Sequence, residues 1–441
     1  MSPLRGGPAT IRPPGVEGAE ELSAWFADLA ATHSRCFWLD GGGARDWSGR
    51  RSLVGVLAET DVSISFDAAR REVTRHVDGT STVVAAGRDV DVFAALEAEL
   101  AAGPGNAQWF GYFGYASRTD LPARPDSAAG GAGLPDAVWM RPSHVREFVH
   151  PVAEGPRGNP SAPDDRDVPP DYAAAFATVR EHLLAGDTYE ANLTHRVGTR
   201  SPLTPVEAYG RLRRLNPAPY AGFLQHDVDG AQAWLLSSSP ERYATVAPEA
   251  GHRRIETKPI KGTTPRGESA IADAEQRHLL VTDPKFRAEN LMIVDLLRND
   301  LSMVCEPGSV EVPSLMRVES YAAVHQLVST VRGRLRDDVS TVAALRALFP
   351  AGSMTGAPKL RTMQVTDAVE STPRGAYAGA FGWIAADGRA DLGVVIRSLM
   401  TTGDGTWTLG TGGGITVRSD VAEEWAESVW KAERLLRVFD A

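Results

Sequence analysis

The chain has 441 residues, 43% of them hydrophobic, and a formal net charge of −10. This balance argues against nucleic acid or an anionic membrane as a partner, and no apolar run approaches the roughly 20 residues that a membrane span needs. Two cysteines, Cys36 and Cys305, are too few for a disulfide framework or a cysteine metal cluster. Residues 1–20 are rich in Pro and Gly and lack a signal sequence, so we expect a disordered leader on a cytoplasmic protein.

An N-terminal region is predicted at residues 21–150, and it is rich in short strands. These strands are bounded by turn residues, which indicates an antiparallel sheet rather than βαβ units. An aromatic strand at 109–115 contains glycines that permit close backbone packing. The other predicted elements are helices at 21–31 and 90–102 and strands at 36–40, 52–57, 62–66, 72–77 and 81–85.

A linker is predicted at 151–171, where Pro, Gly and Asp are concentrated. The region that follows, 172–441, combines helices with strands that are joined by hairpin turns. We therefore predict an α+β fold, with a large antiparallel sheet and helices packed outside it. The predicted elements include helices at 172–185, 205–215 and from the Asp420 cap to about Phe439, and strands at 189–197, 220–225, 233–237, 376–386, 390–402 and 406–411.

The segment Glu256–Thr263 is predicted as a short strand that enters a tight turn. Pro259 fixes the backbone there and Gly262 frees the turn. Lys261 lies between an isoleucine and this glycine, which suits an amine held close to a ligand. On its own, however, the pattern is more often an exposed turn with solvated lysines.

Two helices carry carboxylates at suggestive positions. Glu289 lies in the first turns of the helix after Asp283-Pro284, and by itself it is a solvated residue that suits the helix dipole. In the C-terminal helix, Glu424, Glu427 and Lys431 are three and four residues apart and share one face. Stacked carboxylates repel each other unless a cation lies between them, and Mg²⁺ favours carboxylate oxygens. A solvated helix with one Glu–Lys pair is the alternative.

Small residues and an arginine mark possible anion contacts. Residues 410–415, Gly-Thr-Gly-Gly-Gly-Ile, allow backbone N–H groups to converge on a carboxylate, and Arg397 suits a bidentate contact with one. The loop 349–359 leads small residues into a helix and suits a small polar ligand. His325 lies in an apolar strand, where a lone histidine is usually a core residue.

Together these segments resemble the chorismate-binding enzymes, the family of anthranilate synthase component I and isochorismate synthase. The resemblance is dense from about residue 170 to 440 and thinner before, and it implies an anthranilate synthase component I-like fold. The matching motifs are Ser-Pro-Glu-Arg (239–242), Pro-Ile-Lys-Gly-Thr (259–263), the helix 287–301, Val-His-Gln-Leu-Val-Ser-Thr (324–330), Gly-Ser-Met-Thr-Gly-Ala-Pro-Lys (352–359), Ile-Arg (396–397), Gly-Gly-Gly-Ile (412–415) and Glu-x-x-Glu-x-x-x-Lys (424–431).

The resemblance also implies a substrate, a cofactor and a set of site residues. Members bind chorismate with Mg²⁺, and the metal ligands would be Glu289 and Glu427, with Glu424 nearby or acting through water. The catalytic residues would be Lys261, Glu241 as the general acid that protonates the departing hydroxyl, and His325. Substrate contacts would come from Thr263, Thr355, Gly356, Tyr377, Arg397, Gly412, Gly413, Gly414 and Lys431.

Lys261 indicates which reaction to expect. Members that make anthranilate carry alanine at this position, and members that make 4-amino-4-deoxychorismate carry lysine. The lysine would attack C2 of chorismate, and ammonia would then add at C4 and expel it, which divides one difficult substitution into two easier ones. Attack requires a neutral amine, so we expect a lowered pKa, caused by burial and by Lys258, Arg266 or Mg²⁺. The lysine base of the water-adding members is replaced by Glu190, whose role the pattern leaves open.

The predicted function is therefore amination of chorismate at C4, for p-aminobenzoate and folate synthesis. Neither cysteine has the strand–helix setting of a glutaminase nucleophile, so ammonia is expected from a separate glutamine amidotransferase subunit. Two alternatives stay open. One is amination followed by pyruvate elimination to anthranilate, and the other is a catalytically silent binding subunit.

Overall fold

The computed structural model describes residues 19–43, 51–126, 133–150, 167–321 and 324–440. Nearly all of the expected leader and most of the expected linker lie outside these ranges. No helix in the described ranges combines the length and apolar character needed to cross a bilayer. The helices are α1 (Ala19–Thr32), α2 (Val92–Ala102), α3 (Pro170–Leu184), α4 (Pro205–Leu215), α5 (Ala270–Thr282), α6 (Pro284–Ser302), α7 (Thr341–Leu348), α8 (Gly352–Thr355), α9 (Lys359–Val369) and α10 (Val421–Leu436).

Two large antiparallel sheets form the centre of the described structure. In the first sheet the strand order is β17-β9-β21-β20-β11-β10-β1-β2-β8. Its strands are β1 (Arg35–Asp40), β2 (Arg51–Val56), β8 (His144–Val149), β9 (Glu190–Arg200), β10 (Tyr220–His226), β11 (Ala233–Ser239), β17 (Gly356–Ala357), β20 (Ser398–Thr401) and β21 (Thr406–Ile415).

In the second sheet the order is β14-β16-β13-β12-β19-β18-β6-β7-β3-β4-β5, and β15 also pairs with β16. Its strands are β3 (Val62–Asp67), β4 (Glu72–Val77), β5 (Thr80–Ala86), β6 (Gln108–Phe113), β7 (Ala137–Arg141), β12 (Arg242–Glu249), β13 (His252–Lys258), β14 (Ile260–Pro265), β15 (Glu311–Ser320), β16 (Val324–Leu335), β18 (Ala380–Ala385) and β19 (Ala390–Val394).

Both sheets combine strands from the two halves of the sequence. In the first sheet β1 pairs with β10, and in the second sheet β6 pairs with β18. The predicted α+β class is confirmed, and the N-terminal and C-terminal regions share both sheets.

The main core lies between the sheets and is rich in aromatic side chains. Phe37 on β1 stacks on Phe110 on β6, with ring centroids 4.0 Å apart. On the outer face of the first sheet, a second cluster packs α1, α4 and α10 against the strands, with Phe26 in edge contact with Phe223. A third cluster packs α3 and α9 against β9 near the end of β21. The helices α1, α3, α4, α9 and α10 therefore cover the outside of the first sheet.

At two neighbouring places, besides the passage from β7 to β8, the chain runs directly from one sheet to the other. β11 of the first sheet runs through Pro240 and Glu241 into β12 of the second, and β19 of the second sheet returns to β20 of the first through Arg397. The single strand predicted at 390–402 is therefore wrong, because Arg397 adopts a left-handed backbone with φ 50° and breaks the ladder. The Ser238 N–H and hydroxyl both donate to the Arg397 carbonyl, at 3.1 and 2.8 Å, so the crossings lie side by side.

Candidate active site

A cavity of about 700 Å³ opens beside these two crossings. Its walls come from β14, the β11–β12 crossing, β21, the start of α6 and one face of α10. Most of the site residues expected from the sequence line it together: Glu241, Lys261, Thr263, Glu289, Tyr377, Arg397, Gly412, Gly413, Gly414, Glu424, Glu427 and Lys431. Residues from seven sequence segments thus converge on one chamber.

Lys261 and Glu190 form a buried pair at the inner wall of this chamber. The Lys261 ammonium donates to Glu190 Oε1, while Glu190 Oε2 is buried and has no hydrogen-bond partner among the described residues. Glu190 is fully buried on β9, and Gly414 of the neighbouring strand β21 leaves room for the pair. A Cβ on Gly414 would lie 2.5 Å from Glu190 Oε1 and 3.2 Å from Lys261 Nζ.

In the absence of a bound metal ion, the Lys261 pKa is raised, whereas the sequence led us to expect a lowered one. Burial does lower it, but the carboxylates of Glu190, Glu289 and Glu241 outweigh burial and raise the pKa above its usual value. The two side-chain cations that were expected to lower this pKa form ion pairs with other residues. Lys258 pairs with Glu319 at 2.7 Å and Arg266 pairs with Asp273 at 2.6 Å. Lys261 therefore holds its proton firmly in the ligand-free protein.

Glu241 lies at the β11–β12 crossing, where its side chain faces the cavity. Burial raises the pKa of this carboxyl to about 7, although Ser353 and the backbone at Ile260 donate hydrogen bonds to it and Lys261 lies near it. A carboxyl with this pKa carries its proton in a large fraction of molecules at neutral pH. Such a group is suited to act as a general acid.

Three carboxylates surround another part of the cavity. Glu289 is buried in the second turn of α6, so the expectation of a solvated residue is wrong, and its Oε1 has no partner within the described ranges. Burial raises the Glu289 pKa to about 7. Glu424 accepts from Lys285 at 2.8 Å and from the Ser419 hydroxyl at 2.7 Å. Glu427 is half-exposed and pairs with Lys431 at 2.7 Å.

These carboxylates fit a magnesium ion that is also held by its substrate. No group of three or more His, Cys, Asp or Glu in the described part of the chain stands ready to hold a metal alone. Mg²⁺ commonly takes only one or two protein carboxylates, with waters and anionic substrate oxygens completing the shell. The unpartnered Glu289 oxygen is a buried acceptor of the kind that such an ion needs.

The glycine-rich end of β21 faces the cavity with one open edge. Residues 410–415 pair with β9 along one edge, whereas the pairing with β20 is limited to Met400 and Thr408. Backbone groups on the other edge are thus available to a ligand, and the Gly412 carbonyl accepts from Lys431 at 3.0 Å. A Cβ on Gly410 would lie 2.2 Å from the Tyr377 ring, so glycine is required where this ring crosses the strand.

Three expected site residues do not line the cavity. His325 is buried on β16 between the Ser320 hydroxyl, at 2.8 Å from Nδ1, and Asp273, at 3.0 Å from Nε2. Its neighbour Gln326 faces the cavity instead, because successive strand residues point to opposite faces. Thr355 and Gly356 belong to the expected loop, but the preceding residues of α8, Ser353 and Met354, supply the wall.

Sequence reasoning missed several residues of the site. Lys285, which is paired with Glu424, lies four positions before Glu289 on α6, and this helical spacing was a usable signal. Glu190 was noticed as unusual, but nothing in the pattern pairs it with Lys261, 71 residues away. Ser353 and Gln326 carry no local signal that separates them from their neighbours.

Comparisons with known proteins identify the family to which the chain is similar. A profile of the family described as chorismate binding enzyme matches residues 34–437. The chain is 38% identical over 467 aligned residues to an aminodeoxychorismate synthase of Streptomyces pristinaespiralis, covering 94% of this chain and 62% of that protein. It is 49% identical over 269 residues to an aminodeoxychorismate synthase of Streptomyces griseus, covering 61% of this chain and 36% of that protein. The chain thus spans less than two thirds of either relative.

Among solved structures, anthranilate synthase component I from Streptococcus pneumoniae has a similar fold. The TM-score is 0.69 at 24% sequence identity, and the match covers 89% of this chain and 93% of that one. The expected anthranilate synthase component I-like fold is confirmed. At this identity the likeness speaks for the fold alone.

Proposed function

The chain belongs to the chorismate binding enzyme family, and we propose that it aminates chorismate at C4 to give 4-amino-4-deoxychorismate. The product is the precursor of p-aminobenzoate and folate. The observation that carries this proposal is Lys261, a buried amine on the cavity wall that lies close to the acid Glu241. The two Streptomyces relatives, both named aminodeoxychorismate synthase, support the same reaction.

Binding of the substrate follows from the charges around the cavity. Arg397 is suited to the enolpyruvyl carboxylate of chorismate, with Tyr377 beside it, and the open edge of β21 is suited to the ring carboxylate. Glu289, Glu424 and Glu427 would hold Mg²⁺. When bound, the ion would neutralise the dianionic substrate and fix the ring for attack.

Catalysis is divided between Lys261 and Glu241. Lys261 attacks C2, both conjugated double bonds of the ring shift, and the C4 hydroxyl leaves with the proton of Glu241 as water. Ammonia then adds at C4, both double bonds shift back, and Lys261 is expelled. The Glu241 carboxyl, at a pKa of about 7, is matched to giving a proton and later taking one at neutral pH.

Ammonia comes from a partner in this proposal. Cys36 and Cys305 are both buried, and burial raises the pKa of Cys305 to about 11. A thiol of this kind is a poor nucleophile. A glutamine amidotransferase subunit therefore supplies ammonia, and concentrated ammonium salts substitute for it in the assay.

The test is to incubate the purified chain with chorismate, Mg²⁺ and ammonium and to identify the product by mass. We expect aminodeoxychorismate with its enolpyruvyl group retained. Glutamine in place of ammonium should give no product. Anthranilate with released pyruvate would refute the proposal in favour of the alternative synthase, and no conversion would favour the silent binding subunit.

A further inference from the structure

We infer that Glu190 takes up the proton that Lys261 loses before it attacks, stores it within the protein, and returns it when the lysine is released. This inference rests on the proposed function and deepens it. It assigns a task to a residue that does not line the cavity and whose side chain, among the described residues, hydrogen-bonds to Lys261. Glu190 is thus a positioning residue that acts through Lys261.

The contact geometry is the first support. Lys261 lines the cavity, whereas Glu190 is fully buried and absent from its wall. The hydrogen bond from Lys261 Nζ to Glu190 Oε1 therefore connects the reacting nitrogen to an acceptor that the substrate does not reach. A proton moved along this bond stays inside the protein.

The charges around Lys261 explain why a local acceptor is needed. Glu190, Glu289 and Glu241 all favour the ammonium form, while Lys285 faces Glu289 from the same helix. Loss of the proton to water is consequently unfavourable at neutral pH. Of the three carboxylates, Glu190 is the one that accepts a hydrogen bond from Nζ in the described structure.

The second oxygen of Glu190 is the other support. Glu190 Oε2 is buried without a hydrogen-bond partner in the described ranges. This oxygen is therefore a free acceptor position beside the hydrogen bond to Lys261, and a transferred proton can be held on the carboxylate without displacing another partner. Chorismate closes the cavity side of the pair and leaves Glu190 as the nearest base.

With Glu190 in this role, every proton released in one catalytic cycle is taken up again. Lys261 gives one proton to Glu190, and its neutral nitrogen forms the C2–N bond while Glu241 protonates the departing C4 hydroxyl to water. Ammonia forms the C4–N bond, the C2–N bond breaks, and lysine leaves as a neutral amine. Glu190 reprotonates Lys261, and the new C4 ammonium returns a proton to Glu241. Both acids end in their starting states.

The test compares Glu190→Gln with the wild-type chain across pH 6–9 at constant free ammonia and saturating chorismate. Glutamine keeps the shape and an acceptor oxygen but cannot take a proton. We expect the wild-type to variant ratio of kcat to reach about 10²-fold at pH 6, the size of a lost acid–base contribution. The ratio should then fall as pH rises and water takes the Lys261 proton. Because Glu241 titrates in both proteins, its effect on kcat cancels in the ratio of wild-type to variant kcat.

Two further variants separate proton storage from mere placement. Glu190→Asp retains an acid, so its ratio to wild type should be constant with pH even where kcat is reduced. Asp300→Asn removes the carboxylate from another buried lysine pair, with Lys359 at 2.7 Å, outside the cavity wall. Its ratio should also be constant. A constant ratio for Glu190→Gln would overturn the inference.

A measurement on the resting protein needs no turnover. Labelling of Lys261 by acetic anhydride at a series of pH values, quantified by peptide mass spectrometry, reports its titration. We expect the Lys261 titration to move to lower pH in Glu190→Gln. An unchanged titration would refute the inference even if the chain made another product, and failure of the wild type to form aminodeoxychorismate would refute the proposed function alone.

Discussion

Replacement of Gly414 by alanine tests the crowded contact behind Lys261, the proposed nucleophile. The backbone of Gly414 lies outside the left-handed region, so alanine adopts it without strain. Its new Cβ, however, would lie 2.5 Å from Glu190 Oε1, about 0.9 Å nearer than the 3.4 Å at which ordinary contact begins. The carboxylate is enclosed and must move, which lengthens its hydrogen bond to Lys261.

The cost follows from the kind of bond that is disturbed. A hydrogen bond to a charged group contributes about 1.5–3 kcal/mol, and at about 1.4 kcal/mol per factor of ten this corresponds to a loss of about 10–10²-fold in kcat. The assay is aminodeoxychorismate formation from chorismate and ammonium, with thermal unfolding alongside. Gly198→Ala on β9 is the matched control, because its Cβ meets nothing nearer than a carbonyl at 3.8 Å. Wild-type kcat in Gly414→Ala would contradict this reasoning.

Three other changes probe separate parts of the molecule. Lys261→Ala should lower kcat by at least about 10³-fold, as loss of a nucleophile does. Lys261→Arg should be equally inactive while still binding chorismate. Turnover comparable to that of the wild type in either variant would exclude a covalent adduct. In the proposed mechanism Glu241 must be protonated to act, so kcat should fall as the pH rises above its pKa of about 7. The residual kcat of Glu241→Gln should not show this decrease. If the decrease persists in the variant, another group causes it. Burial lowers the His226 pKa to about 3 in the folded protein, whereas an exposed histidine in the unfolded chain has a pKa of about 6.5. The unfolded chain therefore binds the extra proton between these two pH values. The contribution of His226 to the free energy of unfolding is complete above about pH 6.5 and decreases with acid, by on the order of 3 kcal/mol at pH 4.5. Urea unfolding should show that the free energy of unfolding depends less on pH in His226→Gln than in the wild type. The same pH dependence in both proteins would contradict this prediction.

Local sequence patterns were sufficient for most of the secondary structure. The predicted helix at 205–215 coincides with α4, where Thr204 and Glu207 form a capping box. The strand predicted at 390–402 failed for a reason that lies outside the segment. The ladder breaks at Arg397 because the Ser238 backbone and side chain hold its carbonyl from a different sheet. A residue's own pattern of neighbours does not encode such a contact.

The candidate site depended even more on long-range contacts. Lys261 was singled out by its motif, yet its pKa was expected to fall and instead rises. The reason is Glu190, which reaches it from another strand. Helix periodicity alone predicted that Glu289 would be solvated, but the packing of α6 buries it. In contrast, Glu424 was correctly grouped with Glu427 on one face of α10, because three-residue spacing on a helix is a local property.

The adjacent passages between the sheets at Glu241 and Arg397 have a consequence for how the proposed chemistry can be varied on this framework. Glu241 and Arg397 are carried by the crossings themselves and Lys261 by a paired strand, so the positions of the reacting groups are set by the framework and not by adjustable surface loops. Insertions or loop exchange would leave this chamber almost untouched. If the proposed function holds, we therefore expect new chemistry to be reached by single side-chain exchanges at fixed points, such as positions 190, 261 and 326. A small combinatorial library at those three positions should interconvert reactions while preserving the architecture.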